Sequence, residues 1–195
     1  MGPSGEWLHS LRESLQATGD PVQLEGRRPA AVLLPLYRDD DQWWLLFTRR
    51  TESVEHHRGQ VSFPGGMAEA SDPDLASTAL REAEEEIGLR PNEVDLIGQM
   101  PPLLTTTGFW VTPIVGCLRW PTPLRLNEHE VAHLFGIPLD WLADPDNHSR
   151  RKVELPGNAQ PVEVITFRPF SGEVVWGATA RIVVDFLRLV PSNRK

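Results

Sequence analysis

The chain has one cysteine, Cys117, in 195 residues, which excludes an internal disulfide and a cysteine-built zinc site and fits a reducing compartment. It also lacks an excess of positive charge. Nineteen Lys and Arg against 27 Asp and Glu leave a formal net charge of -8, so the chain as a whole repels nucleic acid and anionic membrane. A negatively charged ligand must therefore be met by local arginines or by bound cations. Long apolar runs are missing: no stretch approaches the roughly 20 residues of a membrane span. The opening "MGPSGEWLHSLRESLQ" has no basic segment followed by an apolar core, and the closing "PSNRK" is no recognisable sorting tripeptide, so a cytoplasmic location is expected. Internal repeats and low-complexity tracts are absent too. The length suffices for one well-buried core, and a single domain over residues 1–195 is expected, with neither nucleic acid nor membrane as partner.

What is present is an irregular alternation of strand-like and helix-like segments. Trp7, Leu8, Leu11 and Leu15 recur at helical spacing before Gly19, Asp20 and Pro21, which predicts a short amphipathic helix over 6–17 within an N-terminal extension, 1–20. "AAVLLPLY" (30–37) and "QWWLLF" (42–47) flank the charged turn "RDDD" and read as paired strands. Alternation along a strand sends Trp43 and Trp44 to opposite faces. Further strands are expected at 93–100, 109–118, in "RKVEL", "VEVITFRPF" and "GEVVWG", and in "EVAHLFGIP" (130–138), which turns into the helical "LDWLADP". An apolar helix over 178–190 closes the chain. Without a regular βαβ rhythm, the pattern predicts an α/β fold of the α/β/α sandwich type, with a mixed sheet between helices. The N-terminal elements and the tryptophans would suit a homodimer.

"ALREAEEEIGL" (79–89) places four glutamates in five positions. At about 100° per residue, Glu82, Glu85 and Glu86 share one narrow face beside Arg81, while Ala76, Ala79, Leu80, Ala83 and Ile87 form an apolar stripe next to it. Asp72 before Pro73 reads as an N-cap, and Gly88 as the left-handed residue past the last turn. The cluster lies toward the C-terminal end, where the helix dipole disfavours negative charge. A solvated acidic face is one reading; a magnesium or manganese ion held by carboxylate oxygens is the other. The second is favoured by the crowding beside an arginine, on a tightly packed helix just after a double-glycine turn.

Gly66, Asp72 and "REAEEEIGL" together resemble the Nudix box, residues 66–89, whose second half is matched at Arg81, Glu82, Glu85, Glu86, Gly88 and Leu89. Ala83 replaces a larger aliphatic, Asp72 stands for the early glutamate, and one extra residue separates it from Arg81. The preceding "LFTRRTESVEHHRGQVSFPGG" is similar to the signature of coenzyme A pyrophosphatases in this superfamily, in register at Thr48, Arg50, Gly59, Phe63, Pro64, Gly65 and Gly66. Thr51 and Glu55 depart from it, and Glu55 replaces an expected arginine. "TTTGFWVTPIVG" and "WGATARIVVDFL" also resemble segments of these enzymes.

The resemblance implies a metal-dependent hydrolase that cleaves a nucleoside diphosphate derivative, with coenzyme A or its thioesters as substrate. Glu82, Glu85, Glu86 and Glu130, with the Gly66 carbonyl, would hold Mg2+ or Mn2+; Glu128 is the alternative to Glu130. Arg81 would orient a glutamate. Glu69 and Asp72 compete for the place of the early box glutamate. Arg50 and Arg58 would bind phosphate, and Thr106, Thr107 and Phe109 would wall the substrate. His56 and His57 stand in the loop as proton-transfer candidates or as plain polar residues. ADP-ribose, dinucleoside polyphosphates and nucleoside triphosphates are alternative substrates, and a non-catalytic nucleotide-binding module is an alternative of another class.

Overall fold

In a computed structural model of the chain, which describes residues 3–18, 28–52, 59–154 and 161–190, the elements are α1 (Pro3–Ser14), β1 (Arg28–Asp39), β2 (Gln42–Arg50), β3 (Val61–Ser62), β4 (Gly65–Met67), α2 (Leu75–Ile87), β5 (Val94–Gln99), β6 (Leu103–Leu104), β7 (Phe109–Leu118), β8 (Val131–Pro138), α3 (Leu139–Ala143), β9 (His148–Val153), β10 (Val162–Phe167) and α4 (Gly177–Leu189). The charged turn after Asp39 closes the β1–β2 hairpin, with Leu36 opposite Leu45 and Asp39 opposite Gln42. Asp40 and Asp41 adopt positive φ there, a conformation that short polar side chains tolerate.

β1 is the centre of the main sheet. It pairs parallel with β7 from Arg28–Phe109 to Leu36–Cys117 and antiparallel with β2 and β4, so the sheet is mixed as expected. β5 and β6 extend it beyond β7, and β3 and β8 pair with β2. Alternation then sorts the apolar residues into two cores. Leu34, Leu36, Trp43, Leu45 and Phe47 join α1 and α4 on one face; Ala31, Leu33, Leu46 and Ile114 meet α2 on the other. The two tryptophans part as predicted, Trp43 to the first core and Trp44 against the second.

α1 is integral to this packing. Trp7 is 3% exposed and stacks on Trp43 with ring centroids 4.6 Å apart, an aromatic pair that adds about 0.5–1.5 kcal/mol beyond area burial. β9 and β10 form a separate two-stranded ribbon. The expected strand "GEVVWG" is not one: the segment makes only isolated bridges, Phe170–Glu173 and Thr166–Trp176, because it turns tightly at Ser171 and Gly172, both at positive φ, to enter α4. No helix among the described residues is long and apolar enough to cross a membrane.

Candidate active site

α2 presents the carboxylates because its other side is committed to the sheet. Ala76, Ala79, Ala83 and Ile87 are almost wholly buried, and their small side chains let the helix lie close over β1 and β7. Gly88 ends the helix with φ 67°, and its N–H and that of Leu89 return to the Glu84 and Ala83 carbonyls. The N-terminus differs from expectation. Asp74, not Asp72, caps it, accepting a bond from the Ser77 N–H at 2.7 Å, and Leu75 rather than Pro73 opens the helix.

Asp72 is thereby free for another task. Its carboxylate accepts from Arg81 Nε and Nη2, both at 3.0 Å, from the Glu69 N–H at 2.9 Å and from Thr78 Oγ1 at 2.9 Å. The arginine bonds hold the acid down to about pKa 2, with the Glu69 and Thr78 bonds assisting against burial. Arg81, fixed in this way, donates from Nη1 to Glu82 Oε1 at 2.8 Å and from Nη2 to the Met67 carbonyl at 3.0 Å. The guanidinium thus ties the β4 turn to the first box glutamate.

Glu82 in turn lies over Gly66: a Cβ on that glycine would stand 2.5 Å from the Glu82 Cδ. Gly65 is constrained as well, since a Cβ there would collide with the Ala31 carbonyl oxygen. The double glycine therefore lets backbone and carboxylate approach at van der Waals range.

Glu86 sits one turn on, at the border of the apolar stripe, and is only 3% exposed. Arg50 Nη1 reaches its Oε1 at 3.4 Å, while Oε2 and Arg50 Nε are buried with no hydrogen-bond partner among the described residues. Arg50 is aimed there by an irregularity at the end of β2, where Arg49 faces His133 but Arg50 faces Val131. Burial pushes the Glu86 carboxyl up to about 8; Arg50 opposes this, and Glu82 and Glu130 reinforce it. Burial also raises Glu82, against Arg81 and with Glu85 and Glu130.

Glu130 arrives from a different element. The Asn127 N–H bonds the Glu86 carbonyl at 2.9 Å, the Glu130 N–H bonds the Asn127 carbonyl, and the Glu130 carbonyl accepts from the Thr51 N–H. Asn127 Nδ2 also holds Glu130 Oε1 at 3.1 Å. This turn hangs the acid between the ends of α2 and β2.

A model of the NUDIX domain matches residues 26–166 of the chain. The chain belongs to the Nudix family. The uncharacterized Nudix hydrolase NudL of Pectobacterium atrosepticum is 39% identical over 157 residues, 80% of each chain, and that of Cronobacter sakazakii is 38% identical over the same shares. The MutT/nudix family protein of Enterococcus faecalis has the same fold, with a TM-score of 0.53 at 15% identity, covering 95% of this chain and 73% of its own. The chain is accordingly a Nudix hydrolase, acting on a phosphorus-containing anhydride.

Nudix hydrolases generally use divalent metals such as Mg2+, and the residues here fit one. Glu130 raises the proton affinity of Glu82 and Glu86, and Glu82 that of Glu86, while Glu86 Oε2 is buried with no hydrogen-bond partner among the described residues. All are hard oxygen ligands of the kind such cations take. Among the described residues no three acidic, imidazole or thiol groups form a finished cation cluster, and Arg81 and Arg50 lie against the Glu82 and Glu86 carboxylates.

The other expected site residues are spread more widely. Glu85 is on the rim, its side chain 59% exposed and 3.5 Å from Arg81. Glu128 is exposed. Thr106 and Thr107 lie in the exposed turn between β6 and β7, and the Phe109 ring carries the Arg28 guanidinium 4.2 Å from its centroid. Phe109 pairs with Arg28, whereas Gly66 pairs with Ala31, three positions on, so this wall is about 10 Å along the sheet from the carboxylates. Arg58, His56, His57 and Glu55 lie outside the described residues. Asn127 and the Asp72–Arg81 pair are the parts that residue patterns alone did not expose.

Proposed function

We propose that this Nudix hydrolase is a Mg2+- or Mn2+-dependent pyrophosphohydrolase that opens the diphosphate of coenzyme A or its thioesters, giving 3',5'-ADP and a 4'-phosphopantetheine product. The observation that carries the reading is Arg50. It falls in register with the coenzyme A pyrophosphatase signature, and it reaches Glu86 at 3.4 Å, which supports a role for this guanidinium in meeting phosphate beside the carboxylates. The separation of Phe109 from that cluster suits a substrate with a long body beyond its diphosphate.

Hydrolysis adds a water oxygen to one phosphorus, breaks the bridging P–O bond and leaves two phosphate monoesters. Glu82, Glu85, Glu86 and Glu130, with the Gly66 carbonyl, would hold the cation. When bound, it neutralises phosphate charge, polarises phosphoryl oxygens and acidifies water in the site. Arg81 acts through Glu82, fixing its carboxylate over Gly66. Glu130, outside the helix and held by Asn127, either completes that ligand set or serves instead as the base that takes the proton of the attacking water. Arg50 and Arg58 bind the phosphates, and Thr106, Thr107 and Phe109 line the far part of the substrate. The same reading treats residues 1–195 as one cytoplasmic domain, working alone or as a homodimer.

Glu55, where the signature has arginine, favours a second reading in which ADP-ribose, a dinucleoside polyphosphate or a nucleoside triphosphate is cleaved. Retention of Glu82, Glu85 and Glu86 argues against a binding module without turnover. Mass spectrometry of products after incubation with Mn2+ and coenzyme A separates these. The expected result is 3',5'-ADP with 4'-phosphopantetheine. Intact coenzyme A alongside hydrolysed ADP-ribose would overturn the substrate assignment and leave the hydrolase chemistry standing.

A further inference from the structure

Beyond β10 the chain reverses through Phe170–Glu173, whose backbones exchange two hydrogen bonds at 2.9 Å. Ser171 and Gly172 between them have φ of 50° and 87°, the left-handed pair that a two-residue turn requires and that costs free energy at a residue with a Cβ. What the turn delivers is the Glu173 carboxylate, on the face of the main sheet that α1 and α4 cover. Its Oε2 accepts from Arg49 Nη1 at 3.1 Å, its Oε1 is 3.0 Å from His133 Nε2, and its side chain is only 15% exposed. One acid thus joins β2 to β8 through bonds of the stronger, charge-assisted kind.

The rung it joins is the last before the two strands lose register. Leu45–Ile137, Phe47–Phe135 and Arg49–His133 are partners on the face of α1 and α4. The next pair is Arg50–Val131, with Ala132 as the extra residue, and this pair faces α2: Arg50 reaches Glu86, and Val131 is buried in the second core. The bulge therefore turns β8 from one face of the sheet to the other between His133 and Val131. Glu130 follows at once, its carbonyl accepting from the Thr51 N–H at 2.9 Å. A bulge bends and twists the strand that carries it, so the place of the extra residue sets the direction in which Glu130 is presented. Ala132 is small and exposed and does nothing to fix that place. Burial holds Val131 on one side of it, and Glu173 holds His133 on the other. Without Glu173 the extra residue can pass to His133, and the bend moves with it.

We infer that Glu173 is a positioning residue for hydrolysis: by tying His133 to Arg49 it confines the bulge to Ala132 and so fixes Glu130 between the ends of α2 and β2. It acts from the opposite face of the sheet. Its effect on turnover rests on the role proposed for Glu130, as ligand or as base.

Two measurements test this. The first needs no turnover: amide hydrogen exchange in the metal-free, 15N-labelled full chain. Glu173→Ala should speed exchange of the Thr51 amide, which reports on the Glu130 carbonyl, by about tenfold or more, and leave the amides of β7 unchanged. Glu163→Ala, which breaks the 3.2 Å ion pair with Arg150 on the β9–β10 ribbon, should leave Thr51 as it is. The second is a double-variant cycle on turnover with Mn2+. Glu173→Ala should lower kcat about tenfold, with KM within about twofold of the parent. Glu173→Gln, which keeps the shape and an acceptor for Arg49, should retain most of the activity. In a Glu130→Gln background, Glu173→Ala should add a loss of less than about twofold. Unchanged exchange at Thr51, or a loss as large in the Glu130→Gln background as in the parent, would overturn the positioning role. A parent that cleaves no candidate substrate would instead overturn the proposed function, and exchange at Thr51 would still decide for or against the tie.

Discussion

Glu86→Gln removes one charge while keeping the shape and an acceptor for Arg50, and its effect on the metal-free protein follows from the burial of that carboxyl. The group's ordinary value is 4.5 and the folded value about 8, with burial as the first cause. A raised folded pKa means the folded chain binds the proton more tightly than the unfolded chain. The stabilisation is complete below about 4.5 and is lost as pH rises through 8. Integrated between pH 5 and pH 8, this comes to about 3 kcal/mol, or roughly 5–10 °C of melting temperature for a chain of this size. Gln does not ionise, so the variant should lack this slope and melt higher than the parent at pH 8. The assay is a pair of thermal melts in chelator at pH 5, 6.5 and 8. Parallel curves for the two proteins across that range would refute the reasoning. Turnover with metal should fall by orders of magnitude in the same variant, so the site would gain stability as it loses function.

Asp72→Asn should destabilise the fold by about 2 kcal/mol in a denaturant titration at pH 7, because the carboxylate is held near pKa 2 chiefly by Arg81. Its folded pKa is depressed, so the parent keeps this contribution above the ordinary carboxylate range and loses it as pH falls toward 2, and the variant should lack that acid dependence. Gly66→Ala should fold but lose most turnover, since the new Cβ would displace the Glu82 carboxylate; normal kcat would contradict the close approach of the two. Trp7→Ala should cost about 3–5 kcal/mol in the same titration, as expected for a side chain stacked in the core, and a change under about 1 kcal/mol would mean that α1 is dispensable.

The strands of the hydrophobic core were the most legible part. "FWVTPIVGCL" is β7 residue for residue, since a strand buried on both faces reads as a near-continuous apolar run. The tight β1–β2 turn was equally plain. Pairings between distant segments were not, as nothing in β1 or β7 marks them as parallel neighbours. β3 and β4, two and three residues long, carry too little pattern to register. Asp72-Pro73-Asp74 offers two N-caps, and only the tertiary ion pair with Arg81 shows which aspartate is left for the helix. In the site, helical spacing grouped Glu82, Glu85 and Glu86, but their environments differ. Glu86 adjoins the apolar stripe and is buried, whereas Glu85 turns to solvent. Glu130 was legible as an acid before a strand; Asn127, which positions it, had no signal of its own.

The proposed function sets a divalent cation among Glu82, Glu86 and Glu130, and calorimetric titration of Mn2+ into the chelator-treated protein at pH 7.5, paired with melts at saturation, tests this directly. A saturable heat, a raised melting temperature and the loss of both in Glu82→Gln/Glu86→Gln are expected. No heat and an unchanged melting temperature at millimolar Mn2+ would contradict it.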